Sequence, residues 1–160
     1  MDSYVAGAWR SPQGETQAVL DSSTGVEVAR LPLAPVPAAE ALEYARSSGA
    51  GLRALSFHER AALLKKLGTY LLERKDALYE LSAQAGATKR DSAVDIDGGA
   101  GTLLSYASKG RRELPAGSLV VDGPVEPLGK TGAFLGQHVL TPRTGAVLQV
   151  NAFNFPVLGM

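Results

Sequence analysis

Apolar positions in the first thirty residues recur at short, strand-like spacings broken by turn formers. Tyr4-Val5-Ala6-Gly7-Ala8-Trp9 alternates loosely, Ser11-Pro12-Gln13-Gly14 is a turn, and Thr16 to Leu20 is a second run. Asp21-Ser22-Ser23-Thr24-Gly25 is dense in turn residues, and Val26 to Leu31 alternates again. The pattern predicts a small antiparallel hairpin system, closed off by a linker at Pro32, Pro35 and Pro37.

The period then changes. Ala38 to Ser48 is alanine-rich, with Glu40, Glu43 and Arg46 on the wet side, and predicts a helix that ends at Gly49-Ala50-Gly51. Ser56-Phe57-His58-Glu59 has the form of a capping box, in which serine and glutamate each satisfy an orphan N–H. Behind it Leu64, Leu67, Leu71, Leu78 and Leu81 form one stripe, predicting a single long amphipathic helix with its core face on that stripe. A third helix is predicted from Asp91 or Ser92 to about Lys109, with Val94, Gly98, Gly101 and Leu104 or Ser105 as its seam. Glycines in a helix interior cost about 1 kcal/mol each relative to alanine, which points to close approach of another backbone.

Residues 110 to 130 are rich in glycine and proline and predict loops, with one strand at Ser118 to Val121. Phe134 to Leu140 reads as a strand, Thr141-Pro142-Arg143-Thr144-Gly145 as a turn, and Ala146 to Val150 as an unbroken apolar run. Such a run is expected of a strand buried on both faces in a parallel sheet. Asn151-Ala152-Phe153-Asn154-Phe155-Pro156 comes directly after it.

Composition narrows the function classes. The 160 residues make about one domain, 45% hydrophobic and 20% charged. Sixteen basic and sixteen acidic residues leave a net charge of zero, which argues against bulk affinity for nucleic acid or an anionic membrane. The absence of cysteine excludes a disulfide, a cysteine-ligated metal and a thiol nucleophile within these residues. The opening Met1-Asp2-Ser3-Tyr4 carries an acid where a signal peptide would carry lysine or arginine, and no run approaches 18 apolar residues. A cytoplasmic protein without a membrane span is expected.

The segment after the apolar run is the first candidate site, because ligands of open α/β sheets bind at the carboxyl ends of strands. The Asn154 amide can donate to a negative oxygen without itself titrating, or it can satisfy loop backbone instead. Asp95 and Asp97 are two residues apart on a helix and cannot converge on one ion, so a solvated face or a cap is expected of them. Gly98-Gly99-Ala100-Gly101 lacks the G-x-G-x-x-G spacing and comes after no strand. His58 and His138 have no second histidine at ligand spacing, and no metal site is expected. No serine sits in a G-x-S-x-G elbow. Lys109, Arg111 and Arg112 suit a solvated helix end.

In their order and spacing these pieces resemble the N-terminal third of an aldehyde dehydrogenase, over essentially the whole chain. Tyr4 to Trp9 is similar to the family's opening "x-I-x-G-x-W", Asp21 to Val28 to its "N-P-A-T-G-E-x-I", and Glu59-Arg60-Ala61-Ala62-Leu63-Leu64 to "E-R-A-x-x-L". Thr141 to Val147 together with Phe153-Asn154-Phe155-Pro156 resembles "P-x-G-V…P-W-N-F-P". The family's Pro-Trp is Ala152-Phe153 here and its Asn-Pro turn is Asp21-Ser22. Leu81 to Thr88, Asp91 to Gly99 and Asn151 to Pro156 resemble the branch acting on CoA-linked semialdehydes in phenylacetate and benzoate degradation.

The resemblance implies an α/β fold: an incomplete Rossmann-type cofactor-binding domain (residues 1–119 and 146–160) with N-terminal β-hairpins and a helical segment. It also implies a β-hairpin oligomerisation excursion at residues 120–145. It further implies NADP as cofactor, a CoA-thioester aldehyde as substrate, a homo-oligomer, and oxidation through a cysteine thiolate adduct. Asn154 takes the oxyanion position, while Val150, Asn151, Ala152 and Phe153 line the nicotinamide-ribose side of the cofactor cleft. The family's cysteine, glutamate base and G-x-T-x-x-G turn are absent from these residues, so the chain reads as cut off and inactive by itself. The alternative is a stand-alone, non-catalytic binding or oligomerisation module using the strand at Phe134 to Leu140.

Overall fold

The computed structural model describes residues 1–11 and 13–159; Pro12, within the expected turn at Ser11 to Gly14, and Met160 lie outside the described residues. The N-terminal part forms two antiparallel hairpins, as the alternation predicts. In the first, β1 (Ser3–Val5) pairs with β2 (Ala8–Arg10), Tyr4 opposite Trp9. The run read as one strand is thus folded back at Ala6-Gly7, both with positive φ, as a two-residue hairpin loop requires. In the second, β3 (Thr16–Leu20) pairs with β4 (Glu27–Pro32). The Asp21 carboxylate closes its turn by accepting from the Ser23 and Thr24 backbone N–H groups at 2.9 and 2.8 Å.

Four helices come next: α1 (Ala38–Ala54), α2 (Phe57–Glu73), α3 (Lys75–Gln84) and α4 (Lys89–Arg112). Helix α1 runs through Gly49 and Gly51 instead of stopping there. A glycine cap needs positive φ, which neither residue adopts, whereas Gly86, just past α3, does, at +95°. The leucine stripe is carried by two helices, not one, with a break at Arg74, whose guanidinium lies 3.6 Å from the centre of the Tyr70 ring. The break turns α3 toward α4, where the Tyr79 hydroxyl donates to Asp97 at 2.8 Å and Ser82 meets Ser92 at 2.9 Å.

Helix α4 is the axis of the core. Thr88, three residues earlier than expected, caps it by accepting from the Asp91 N–H at 3.2 Å. Its buried face is Ser92, Asp95, Ile96, Gly99, Ala100, Leu103 and Ala107, rotated from the expected seam, so Val94 faces out. Helix α2 packs on it through Gly68, where an added Cβ would lie 3.0 Å from Leu104 Cγ and 3.2 Å from the Ala100 carbonyl oxygen. Within α4 the expectation of a close backbone approach holds at Gly99, which meets the Val157 backbone, but not at Gly98, which has only the Leu158 side chain near it, or at Gly101, which has open space around it.

Strand β5 (Val120–Pro127) pairs antiparallel with β6 (Leu135–Leu140), with an irregularity between Asp122 and Glu126 around Gly123-Pro124. It is longer than the expected four residues because the excursion pairs along both sides of that bulge. The expected buried strand at Ala146 to Val150 is not formed: Val147, Leu148 and Val150 are 93%, 90% and 84% exposed. A strand needs a neighbour for its N–H and C=O groups, and among the described residues every paired strand is antiparallel and none lies beside this segment. No helix among the described residues is long and apolar enough to cross a membrane.

Candidate functional site

The segment after the apolar run folds into two successive turns against α4. The Phe155 N–H donates to the Ala152 carbonyl at 3.2 Å, which places Phe153 and Asn154 at the tip of the first turn. Pro156 to Gly159 form the second turn, whose leading N–H groups need acceptors in the way those of a helix start do. The Asp95 carboxylate provides one: its Oδ1 accepts from Val157 N–H at 2.9 Å and Leu158 N–H at 2.7 Å. Asp95 is therefore a cap, as expected, but of a turn 62 residues away, and it is buried at 2% exposure instead of solvated. Asp97 points elsewhere, to Tyr79 and to Lys75 Nζ at 3.9 Å, consistent with the geometric argument that the two carboxylates cannot converge.

Between this loop, α3 and the first turns of α4 lies a cleft of about 520 Å³. Its wall joins Phe153, Asn154 and Phe155 to Leu78, Leu81 and Ile96, with Asp91 and Asp95 as its charged side chains. Asn154 is exposed, and among the described residues its side chain makes no hydrogen bond, so its amide is free to act on a ligand. The loop-satisfying role falls to Asn151, whose Nδ2 donates to the Pro156 carbonyl at 2.8 Å while its Oδ1 is buried without a partner. Of the expected cofactor-lining residues, Phe153 belongs to the cleft wall; Val150, Asn151 and Ala152 do not. Sequence reasoning named Asp95 as a possible cap but missed its burial and its partners in the Asn154 loop, and it missed the α3 wall. The available signal was an acid set four residues from Gly99, hence on one helix face with it.

The other candidates are structural. His58 Nε2 lies 3.2 Å from the Leu114 carbonyl, and His138 is exposed on β6. Among the described residues no group of three or more histidine, aspartate or glutamate side chains could hold a metal ion. The capping box is present, with Ser56 N–H donating to Glu59 at 2.8 Å and Glu59 N–H to Ser56 Oγ at 3.2 Å. The Ser56 backbone N–H foremost, and then the Ser56 hydroxyl, which also donates to Glu59 at 2.8 Å, hold the Glu59 carboxyl below its usual pKa. The Asp97 carboxylate accepting from Tyr79 pushes that phenol up.

Comparison with known proteins agrees with this architecture. The aldehyde dehydrogenase family profile matches residues 9–160. A 3,4-dehydroadipyl-CoA semialdehyde dehydrogenase from Aromatoleum evansii is 40% identical over 159 residues, covering 98% of this chain. The chain spans 31% of that relative's length. With its second hairpin, its α2–α4 core and the Asn154 loop all inside residues 9–160, the chain belongs to the aldehyde dehydrogenase family.

Proposed function

We propose that the protein containing these residues is an NADP-dependent aldehyde dehydrogenase that oxidises a CoA-linked semialdehyde from aromatic-compound degradation to the carboxylic acid. The observation that carries the reading is the 40% identity to a CoA-semialdehyde dehydrogenase across 98% of the chain. In it Asn154 is the oxyanion donor. When a nucleophile adds to the aldehyde carbon, the oxygen becomes negative, and a neutral amide held at the rim of a cleft stabilises it without exchanging a proton.

A nicotinamide, when bound, supplies the hydride acceptor. The residues present fit its uncharged end in character: Val150, Ala152 and Phe153 are exposed apolar side chains, and Phe153 belongs to the cleft wall. The cleft wall has acids and no cation, so phosphate groups require residues outside it. Residues 1–119 and 146–160 then belong to the cofactor-binding domain, of Rossmann type, and residues 120–145 to an oligomerisation excursion. The exposed cross-strand pair Val121 and Val139 supports an association surface there, and Val121→Lys should shift a homo-oligomer toward smaller species in sedimentation.

The test is nicotinamide reduction by the product of the whole reading frame, supplied with a CoA-linked semialdehyde and either cofactor. Aldehyde-dependent reduction that is faster with NADP than with NAD is expected. No reduction with either cofactor rejects the enzyme reading in favour of a binding module, and a preference for NAD rejects the cofactor assignment.

A further inference from the structure

We infer that Asp95 is a positioning residue for Asn154, holding the turn from which that amide is presented; this rests on the oxyanion reading of Asn154 above. A buried carboxylate is costly unless hydrogen-bonded, and among the described residues Asp95 makes no ion pair. Its two side-chain hydrogen bonds among those residues both go to the backbone of the Asn154 loop, at Val157 and Leu158. One helical turn later, on the same face, Gly99 has the backbone of Val157 against it: an added Cβ would lie 2.7 Å from that residue's carbonyl carbon and oxygen. Helix α4 therefore fixes Val157 with a charge-assisted bond and with a bare backbone into which the carbonyl sinks.

The path from Val157 back to Asn154 is short and stiff. Pro156 has a ring-locked φ, its carbonyl is held by Asn151 Nδ2 at 2.8 Å, and the Phe155 N–H closes the turn on Ala152. A displacement at Val157 has few rotatable bonds in which to dissipate before it reaches Asn154. A misplacement of about 1 Å in a reacting geometry can cost about 10²-fold in rate.

The experiment compares Asp95→Ala, Asn154→Ala and the double variant in the whole protein, by turnover of the CoA-linked semialdehyde and by amide hydrogen exchange over residues 155–159. Asp95→Ala should lose protection at Val157 and Leu158 and lower kcat, more than KM, by about 10²-fold. The double variant should be no slower than Asn154→Ala alone, because a residue acting through another adds nothing once that one is gone. Asp95→Asn, which keeps a carbonyl acceptor, should recover part of kcat. Unchanged kcat in Asp95→Ala, or losses that multiply in the double variant, would overturn the positioning role while leaving Asn154 as the oxyanion donor. Unchanged kcat in Asn154→Ala would sink the oxyanion reading and this inference with it, whatever the exchange data give. If Asp95→Ala does not fold, Gly99→Ala carries the same comparison, since its methyl displaces Val157 without removing the carboxylate.

Discussion

Ser56 and Glu59 satisfy each other's backbone N–H groups, and their bond has a defined pH dependence. The Glu59 carboxyl titrates below its usual 4.5 in the folded chain. Its contribution is therefore present above that value and is lost as acid carries the pH down through the lowered one. Melting curves of wild type and Glu59→Gln should differ by a constant amount near neutrality and converge on acidification below 4.5. Ser56→Ala, which removes the side-chain cap, should cost about 1 kcal/mol at neutral pH by the same melts. The capping box was legible in the sequence because both its partners lie within one helical turn. Asp95 was not, because its partners are 62 and 63 residues away and an acid in a helix looks solvated until the segment opposite it is placed.

At the scale of elements, hydrophobic periodicity found every helical stretch but not every end. The stripe from Leu64 to Leu81 continues in phase across Arg74, so nothing in its spacing marks the break that directs α3 to α4. Gly49 and Gly51 resemble a stop, but a glycine ends a helix only if the chain takes a left-handed turn there, and the packing of the residues beyond it decides that. The same limit applies to Gly68 and Gly101, which look alike in sequence and differ in surroundings. Gly68→Ala gains about 1 kcal/mol of helix propensity but must fit between Leu104 and the Ala100 carbonyl, an overpacking that costs about 1–3 kcal/mol. Net destabilisation is expected. Gly101→Ala meets open space and should stabilise the chain by up to about 1 kcal/mol. Thermal unfolding of the two variants checks the opposite signs.

For the whole molecule, surface area decides how the chain is to be understood. It exposes 11787 Å², against about 7,600 Å² for a compact monomer of 16.7 kDa. Much of the surplus is apolar, in the β5–β6 hairpin and in the stretch around Val147, Leu148, Val150 and Phe153. An unbroken apolar run with no strand beside it has the composition of a buried strand and no partner to be buried against. Within these 160 residues the parallel-sheet expectation for Ala146 to Val150 is not met, and burial of the run requires a neighbouring strand that the described residues do not supply. Amides 146–150 should exchange far more slowly in the whole reading-frame product than in the 160-residue chain, and equal rates would count against burial there. The central claim, that Asn154 holds the oxygen of an aldehyde undergoing oxidation, is tested most directly by single-turnover kinetics of that product. Reduced-nicotinamide absorbance after mixing with the CoA-linked semialdehyde should rise about 10²–10³-fold more slowly in Asn154→Ala than in wild type, with cofactor binding by direct titration unchanged. A variant that reduces the nicotinamide at the wild-type rate, or one whose loss is matched by an equal loss of cofactor affinity, would contradict it.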